Sequence, residues 1–409
     1  MRCGLVVAVG LVGCATHLLD SPDGSTDLAT EPRDHSVPSD PAFIPEPDQT
    51  IPPDLASPPD LIPLRVSFEL TYLGSTPNRV ISSQILVVDY DGDGKQDIVD
   101  ASLAVFRGNG DGTFQPPFPA GAVGDSFGVV AADFDGDGIL DLAATERTAS
   151  DVAVARGVGP GAFRGLVRSA AGSAPWGVAG GDFNEDGRRD LVVSQSTTTT
   201  TGSAVLVLLG NGDGSFRLGG SATVGFNPHE VVVDDFDHDG HADVLSGDVD
   251  GDDLTWLYGR GDGTFRQPSM TTPVPFHFCH FVWSPIPSAM DWTVVIAECD
   301  PGRAHSVLFG SAGMVVDTGL ETGAVAVADF DGDSAADIAV ASAAGPAFSI
   351  IFFEPGYHFS PPLPLLGPSR QSPVMAVGDF NRDGKPDLAM EGDDGAGHEI
   401  AVWINTTGR

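Results

Sequence analysis

From about residue 66 onward, short apolar runs alternate with loops rich in Asp and Gly. Ile85-Leu86-Val87-Val88 leads into the nonamer Asp89-Tyr90-Asp91-Gly92-Asp93-Gly94-Lys95-Gln96-Asp97, and Ile98-Val99 follows it. Short apolar, largely β-branched runs set between glycine and aspartate breakers predict strands rather than helices. Similar nonamers begin at Asp133, Asp182, Asp235, Asp329 and Asp379, so successive copies lie 44, 49, 53, 94 and 50 residues apart. The gap of 94 is nearly twice the others and predicts one further unit that has lost its motif. That unit is visible as Phe281-Val282-Trp283 and Thr293-Val294-Val295-Ile296, which flank a loop, Ser284 to Trp292, without the acidic pattern.

A second signature, Gly108-Asn109-Gly110-Asp111-Gly112-Thr113-Phe114, recurs as Gly210 to Phe216 and Gly259 to Phe265, with weaker forms at Gly157 to Phe163 and near Gly310. Its glycines suit tight hairpins, and its Phe can anchor the next strand. Seven units of about 49 residues, each a run of strands joined by hairpins, predict an all-β fold, a seven-bladed β-propeller. A linear solenoid would leave strand edges open. The strand-like Phe68-Glu69-Leu70-Thr71-Tyr72-Leu73 and the terminal Ile400-Ala401-Val402-Trp403-Ile404 predict closure instead, with the first strand completing the last blade.

Charge narrows the function. The chain has 409 residues, with 57 acids against 20 bases and a formal charge of −37. This excludes nucleic-acid binding by counterion release and disfavours a polybasic membrane-surface protein. A hydrophobic content of 41% separates the chain from acidic disordered sequences.

The ends read differently from the repeats. Residues 1–13 hold Arg2 and a short apolar stretch, Leu5 to Val12, as in a secretory signal. Leu11-Val12-Gly13-Cys14 resembles a bacterial lipobox, which implies lipidation of Cys14 after cleavage. With Ala15 next, the resemblance implies an outer-membrane lipoprotein or a surface-exposed or secreted cell-envelope protein. Residues 14–65 carry eleven prolines and ten acids between Ala15 and Arg65, with no period of 2 or 3.6, and read as a disordered tether. Residues 66–409 form the propeller.

The acidic loops call for a hard cation. Carboxylates at positions 1, 3, 5 and 9, a glycine at 6 and a main-chain carbonyl at 7 supply the oxygen ligands that suit Ca²⁺. The candidate ligands are Asp89, Asp91, Asp93, Lys95 and Asp97; Asp133, Asp135, Asp137, Ile139 and Asp141; and Asp182, Asn184, Asp186, Arg188 and Asp190. The later loops offer Asp235, Asp237, Asp239, His241 and Asp243; Asp329, Asp331, Asp333, Ala335 and Asp337; and Asp379, Asn381, Asp383, Lys385 and Asp387. Lys95, Ile139, Arg188, His241, Ala335 and Lys385 would act through their carbonyls. An EF-hand needs Glu at position 12 and flanking helices. Position 12 holds Asp100, Ala144, Val193, Ser246, Val340 and Met390 instead. About six structural Ca²⁺ ions are expected, one per loop, with a weaker site where Ser334 replaces the glycine at position 6. Six ions would reduce the formal charge to about −25.

These nonamers and the Gly-Asn-Gly-Asp-Gly-Thr-Phe turns resemble the FG-GAP/VCBS repeats of bacterial secreted proteins and of the integrin α-chain propeller. The resemblance implies Ca²⁺ in hairpin loops on one face and ligand binding, as in cell adhesion, on the other. The degenerate unit departs from it and contains the two cysteines, Cys279 and Cys299, that would remain after lipidation of Cys14. Pairing of these two as a disulfide is expected in the envelope, ahead of a transition-metal site with His277 and His280.

No GxSxG, HExxH or P-loop motif is present, and Arg260-Gly261-Asp262 sits inside a hairpin repeat. Catalysis is not favoured. Six residues before each acidic loop, units two to five place Phe127, Trp176, His229 and Phe278, four ring side chains near one mouth of the ring. They are the candidate ligand-binding residues. The expected function is a monomeric, surface-tethered module that binds a protein or glycan, with no nucleic-acid partner and no membrane contact beyond the anchor. The second class is an extracellular polysaccharide lyase or hydrolase on the same propeller.

Overall fold

A computed structural model describes residues 66–407 apart from 76–83, 160, 197–202, 268, 285–292, 299–305, 310–313, 319–321, 343–346, 355–357, 367–370 and 394–397. Cys14, Cys299 and the signal and tether segments 1–13 and 14–65 lie outside the described residues. Among the described residues, no helix is long and apolar enough to cross a membrane.

The described strands form seven four-stranded antiparallel sheets, the blades of a β-propeller. Blade one is Ile85–Val88, Asp97–Asp100, Ala104–Phe106 and Phe118–Pro119; blade two is Val129–Ala132, Asp141–Glu146, Asp151–Gly157 and Phe163–Ala170. Blade three is Pro175–Gly181, Asp190–Gln195, Ala204–Gly210 and Phe216–Thr223; blade four is Pro228–Asp234, Asp243–Asp248, Asp253–Leu257 and Met270–Pro273. Blade five is Phe278–Ser284, Thr293–Glu298, Ser306–Phe309 and Met314–Asp317; blade six is Thr322–Ala328, Asp337–Ser342, Ala347–Ile351 and Leu363–Leu366. Blade seven is Gln371–Gly378, Asp387–Asp393 and His398–Asn405, completed by Phe68–Ser75 from the start of the domain. Six blades carry an acidic loop between their first two strands; blade five does not.

Closure follows from the register. Phe68–Ser75 runs antiparallel to His398–Asn405, with Phe68 opposite Asn405 and Leu70 opposite Trp403. The first strand of each blade packs on the first strands of both neighbours, and blade seven meets blade one. A ring sealed this way packs the first-strand edges against one another around the axis and leaves the outer strands as the edges at the periphery. These are largely polar or exposed, as in Phe163–Ala170 and Met270–Pro273.

The core lies between the blades. Leu86 and Val99 pack toward Val129 and Leu142 of blade two, whereas their neighbours Ile85 and Ile98 pack toward Val374 and Ala376 of blade seven. Side chains alternate across a strand, so consecutive residues enter two different inter-blade layers. Both faces of the second strands are therefore buried, and Asp141–Glu146, Asp190–Gln195 and Asp337–Ser342 read as near-continuous apolar runs after their leading aspartate.

Candidate metal loops and a ring-lined mouth

Each acidic loop is a chain of carboxylate-to-backbone turns. In the first, Asp89 accepts the N–H groups of Asp93 and Gly94 at 3.0 and 2.9 Å, Asp91 accepts that of Asp93 at 3.2 Å, and Asp93 accepts that of Lys95 at 2.9 Å. The loops at Asp133, Asp182, Asp329 and Asp379 repeat this pattern, with Asn184 and Asn381 accepting at position 3; the loop at Asp235 repeats it at positions 1 and 5. The N–H at position 7 is spent on position 5 in Ile139, Arg188, His241, Ala335 and Lys385 as in Lys95. Backbone φ is positive at positions 4 and 6. Ser334, in place of glycine at position 6, takes φ 73° and still donates to Asp329 at 2.9 Å.

Position 9 behaves differently from the others. Asp97, Asp141, Asp190, Asp243, Asp337 and Asp387 are all buried. One oxygen of each accepts the N–H of the position 2 residue and the other accepts an N–H at or just beyond the end of the third strand, as in Asp190 with Phe183 at 3.0 Å and Gly210 at 2.7 Å. These carboxylates splice loop to blade as well as facing the loop acids. Desolvation first, then the charges of the neighbouring loop acids, pushes Asp97, Asp337 and Asp387 up to about 7 and Asp141, Asp190 and Asp243 up to about 6. That upward push marks uncompensated negative charge, which an oxygen-seeking cation would relieve.

Carboxylate oxygens of Asp89, Asp91 and Asp97 lie within 4.8 Å of one another, as do those of Asp133, Asp135 and Asp141, of Asp235, Asp237 and Asp239, and of Asp329, Asp331 and Asp333. The all-oxygen donor set fits Ca²⁺ rather than a thiolate- or imidazole-seeking metal. Basic side chains stand beside the same loops: Arg107 Nε is 3.4 Å from Asp91, and Arg266 bridges Asp237 and Asp239.

The sequence reading missed the role of position 2, although Tyr90, Phe134, Phe183, Phe236, Phe330 and Phe380 make it aromatic in every loop. Each of these rings reaches into the next blade. Phe380 meets Phe114 edge-on at 5.5 Å, Phe134 meets Phe216 at 5.4 Å and Phe183 meets Phe265 at 6.2 Å. Beside them, Gly112, Gly214 and Gly263 donate backbone N–H groups to the carbonyls of Phe380, Phe134 and Phe183. The glycine-rich turn of one blade is thus bolted to the acidic loop of the blade before it.

The opposite ends of the first strands form a mouth. Phe127, Trp176 and His229 stack face to face, with centroids 3.8 Å apart at 19° and 4.1 Å apart at 5°. The structure therefore joins three of the four predicted rings and corrects the fourth. Phe278 is fully buried in the layer between blades four and five, packed with Leu245, Trp256 and Phe281. His277, held by Asp252 at 2.9 Å, takes its place at the rim. The stack buries ring faces against one another, so it offers edges and its ends to a ligand.

Burial pushes the His229 imidazole down to about 4, with opposed contributions from Asp250, Arg147 and His277. It is neutral at pH 7, 3.2 Å from Asn227 Nδ2, and Asn227 donates to Asp250 at 2.9 Å. The Arg147 guanidinium carbon lies 5.2 Å from the Trp176 centroid and 5.8 Å from that of Phe127. A seven-residue strand such as Pro175–Gly181 puts roughly 20 Å between this mouth and the acidic loops.

A second polar cluster lies inside the ring. A cavity of about 30 Å³ is lined by Gln84, Val178, Glu230, His280, Trp283 and Met375, among residues of five blades. Glu230 accepts the Phe281 N–H at 3.0 Å and lies 3.2 Å from His280 Nε2, while His280 Nδ1 is buried without a partner. Burial pushes Glu230 up to about 8 and His280 down to about 4. His280 thus faces the channel, His277 faces the rim, and Cys279 Sγ lies 3.9–4.0 Å from the carbonyls of Ala297, Thr322 and Gly323. The three do not converge on one metal.

Comparison with known proteins agrees with this architecture. A family described as an FG-GAP-like repeat matches residues 89–144, 133–193 and 329–390. Among solved structures, Saccharomyces cerevisiae Sqt1 superposes with a TM-score of 0.50 at 8% identity, covering 83% of this chain and 97% of that one. The AfRom2 CNH domain gives 0.46 at 10% identity, covering 84% and 98%. At 8% identity the likeness to Sqt1 is one of fold. No curated protein matches the chain.

Proposed function

We propose that this β-propeller, which carries FG-GAP-like repeats, is a calcium-stabilised binding module. One Ca²⁺ would sit in each of the six acidic loops, held by side-chain oxygens at positions 1, 3, 5 and 9 and by the position 7 carbonyl. The ion would neutralise the clustered carboxylates and fix the loops that bolt neighbouring blades together. On this reading the seven sheets form one closed seven-bladed ring, and the calcium is structural.

The observation that carries the binding role is the Phe127–Trp176–His229 stack, at the mouth away from the acidic loops. Ordered aromatic groups on loops and strand ends favour recognition of a protein or glycan. The chain would act as a monomer held at the cell envelope by lipidated Cys14, with residues 14–65 as the spacer. The test is a glycan and protein array probed with the full chain in calcium, beside its Trp176→Ala variant. Loss of a specific signal in the variant, with an unchanged melting temperature, supports the reading; equal signals from both proteins refute it.

A further inference from the structure

We infer that the mouth takes an acidic saccharide, whose carboxylate is received by the guanidinium of Arg147. The inference rests on the binding reading above and names its ligand class.

The starting point is a cation without a counter-charge. Acids outnumber bases 57 to 20, and Arg107, Arg156, Arg168 and Arg266 each have a carboxylate within 4 Å. Arg147, like Arg164, Arg188, Arg189, Arg217, Arg260 and Arg382, has none among the described residues, and it differs from those six in lying against the Trp176 and Phe127 rings. A ring contact uses the cation's charge and leaves the forked N–H donors available, and that fork matches a carboxylate in bidentate geometry. Trp176 Nε1 is a second donor there, buried and without an acceptor. A buried N–H of this kind is unfavourable until an acceptor arrives.

The other flank of the stack has the opposite character. Asp250 is exposed and is held through Asn227 beside His229. It can accept hydroxyl protons, which a poly-glutamate peptide does not offer. A hydroxylated ring bearing one carboxylate satisfies both flanks: the carboxylate meets Arg147, the hydroxyls meet Asp250 and Asn227, and the ring C–H groups lie along the aromatic edges. An acidic peptide satisfies only the first.

The experiment is calorimetric titration of the full chain, calcium-saturated, with a six-residue oligouronate, the corresponding neutral hexose oligomer and a poly-glutamate peptide. The oligouronate is expected to bind at least tenfold more tightly than the other two, with an affinity that falls as salt is raised. Arg147→Gln is expected to bring it down to the neutral level with no change in melting temperature, and Arg147→Lys to recover part of the loss. Equal binding of uronate and neutral oligomers, uronate binding unaltered in Arg147→Gln, or tighter binding of poly-glutamate each overturns the inference. Neutral binding that is abolished by Trp176→Ala would leave the binding module standing while this inference fails; absence of any binding to all three ligands overturns the inference itself.

Discussion

Gly214, in the turn of the third blade, donates its backbone N–H to the carbonyl of Phe134, 3.1 Å away in the acidic loop of the second. The same bond joins Gly263 to Phe183 and Gly112 to Phe380. Order in an acidic loop is therefore felt at the joint between two blades. A ring holds only if every joint holds, so acidic loops placed at the joints bear on the whole fold.

The aromatic half of the joint is testable. Phe216 packs edge-on against Phe134 and is almost wholly buried. Phe216→Ala is expected to cost roughly 3–5 kcal/mol in unfolding free energy, the range for a buried Phe left as a cavity. Denaturant titration in saturating calcium measures it, and a cost below about 1 kcal/mol would show that the joint contributes little.

Two glycines of blade three separate crowding from backbone strain. A Cβ on Gly210 would lie 2.3 Å from the Arg189 carbonyl oxygen, whereas one on Gly187, at φ 83°, would meet nothing within 4 Å. Gly210→Ala is expected to destabilise by roughly 2–4 kcal/mol because backbone must move. Gly187→Ala pays only the left-handed conformation, roughly 1–2 kcal/mol. Equal losses in thermal melts of the two variants would contradict this.

The repeat was legible because its residues recur at fixed positions. The acids of Asp89 to Asp97 and the turn from Gly108 to Phe114 are local and periodic, so they reveal strands, hairpins and blades without knowledge of the fold. The terminal strand at Phe68 was legible because the last blade lacked one. Phe278 was misjudged because its unit lacks the acidic loop that sets the register in the other units, so counting back along the chain did not locate the equivalent position. Arg147 and the Glu230–His280 pair were not legible at all. Each depends on residues from different blades meeting in space, 51 positions apart in the case of Glu230 and Phe281.

The Glu230–His280 pair, with His280 buried and Glu230 partly so, predicts a pH dependence. Glu230 has a raised folded-state value, about 8, so the folded state holds a proton that the unfolded chain releases near 4.5. Stability from this group falls as pH rises toward 8. His280 is depressed to about 4 against an ordinary 6.5, so its contribution rises with pH across that interval and is flat above it. The two oppose each other below pH 6.5; from 6.5 to 8 Glu230 is the member of the pair that acts, beside Asp248, which burial also raises to about 7. In saturating calcium, stability is expected to fall by up to roughly 2 kcal/mol over that window. Glu230→Gln should flatten the slope, and an identical slope in the variant would exclude Glu230 as its source.

Individual loops can be separated by charge. Asp133 accepts three backbone N–H groups, from Gly136, Asp137 and Gly138. Asp133→Asn keeps an oxygen acceptor for these turns and removes one negative charge from the loop. It is expected to lower the bound calcium by about one ion while moving the calcium-free melting temperature little. Unchanged stoichiometry would remove that loop from the set of metal sites.

The central claim is that the acidic loops hold calcium and that calcium holds the ring. Differential scanning calorimetry of the full chain, in millimolar calcium and again after removal with EGTA, with bound metal counted by mass spectrometry in parallel, tests both halves together. About six calcium ions per chain are expected, with a large fall in melting temperature on chelation that calcium restores. A chain that retains no calcium after exhaustive dialysis against micromolar calcium, and melts at the same temperature with and without EGTA, would contradict it.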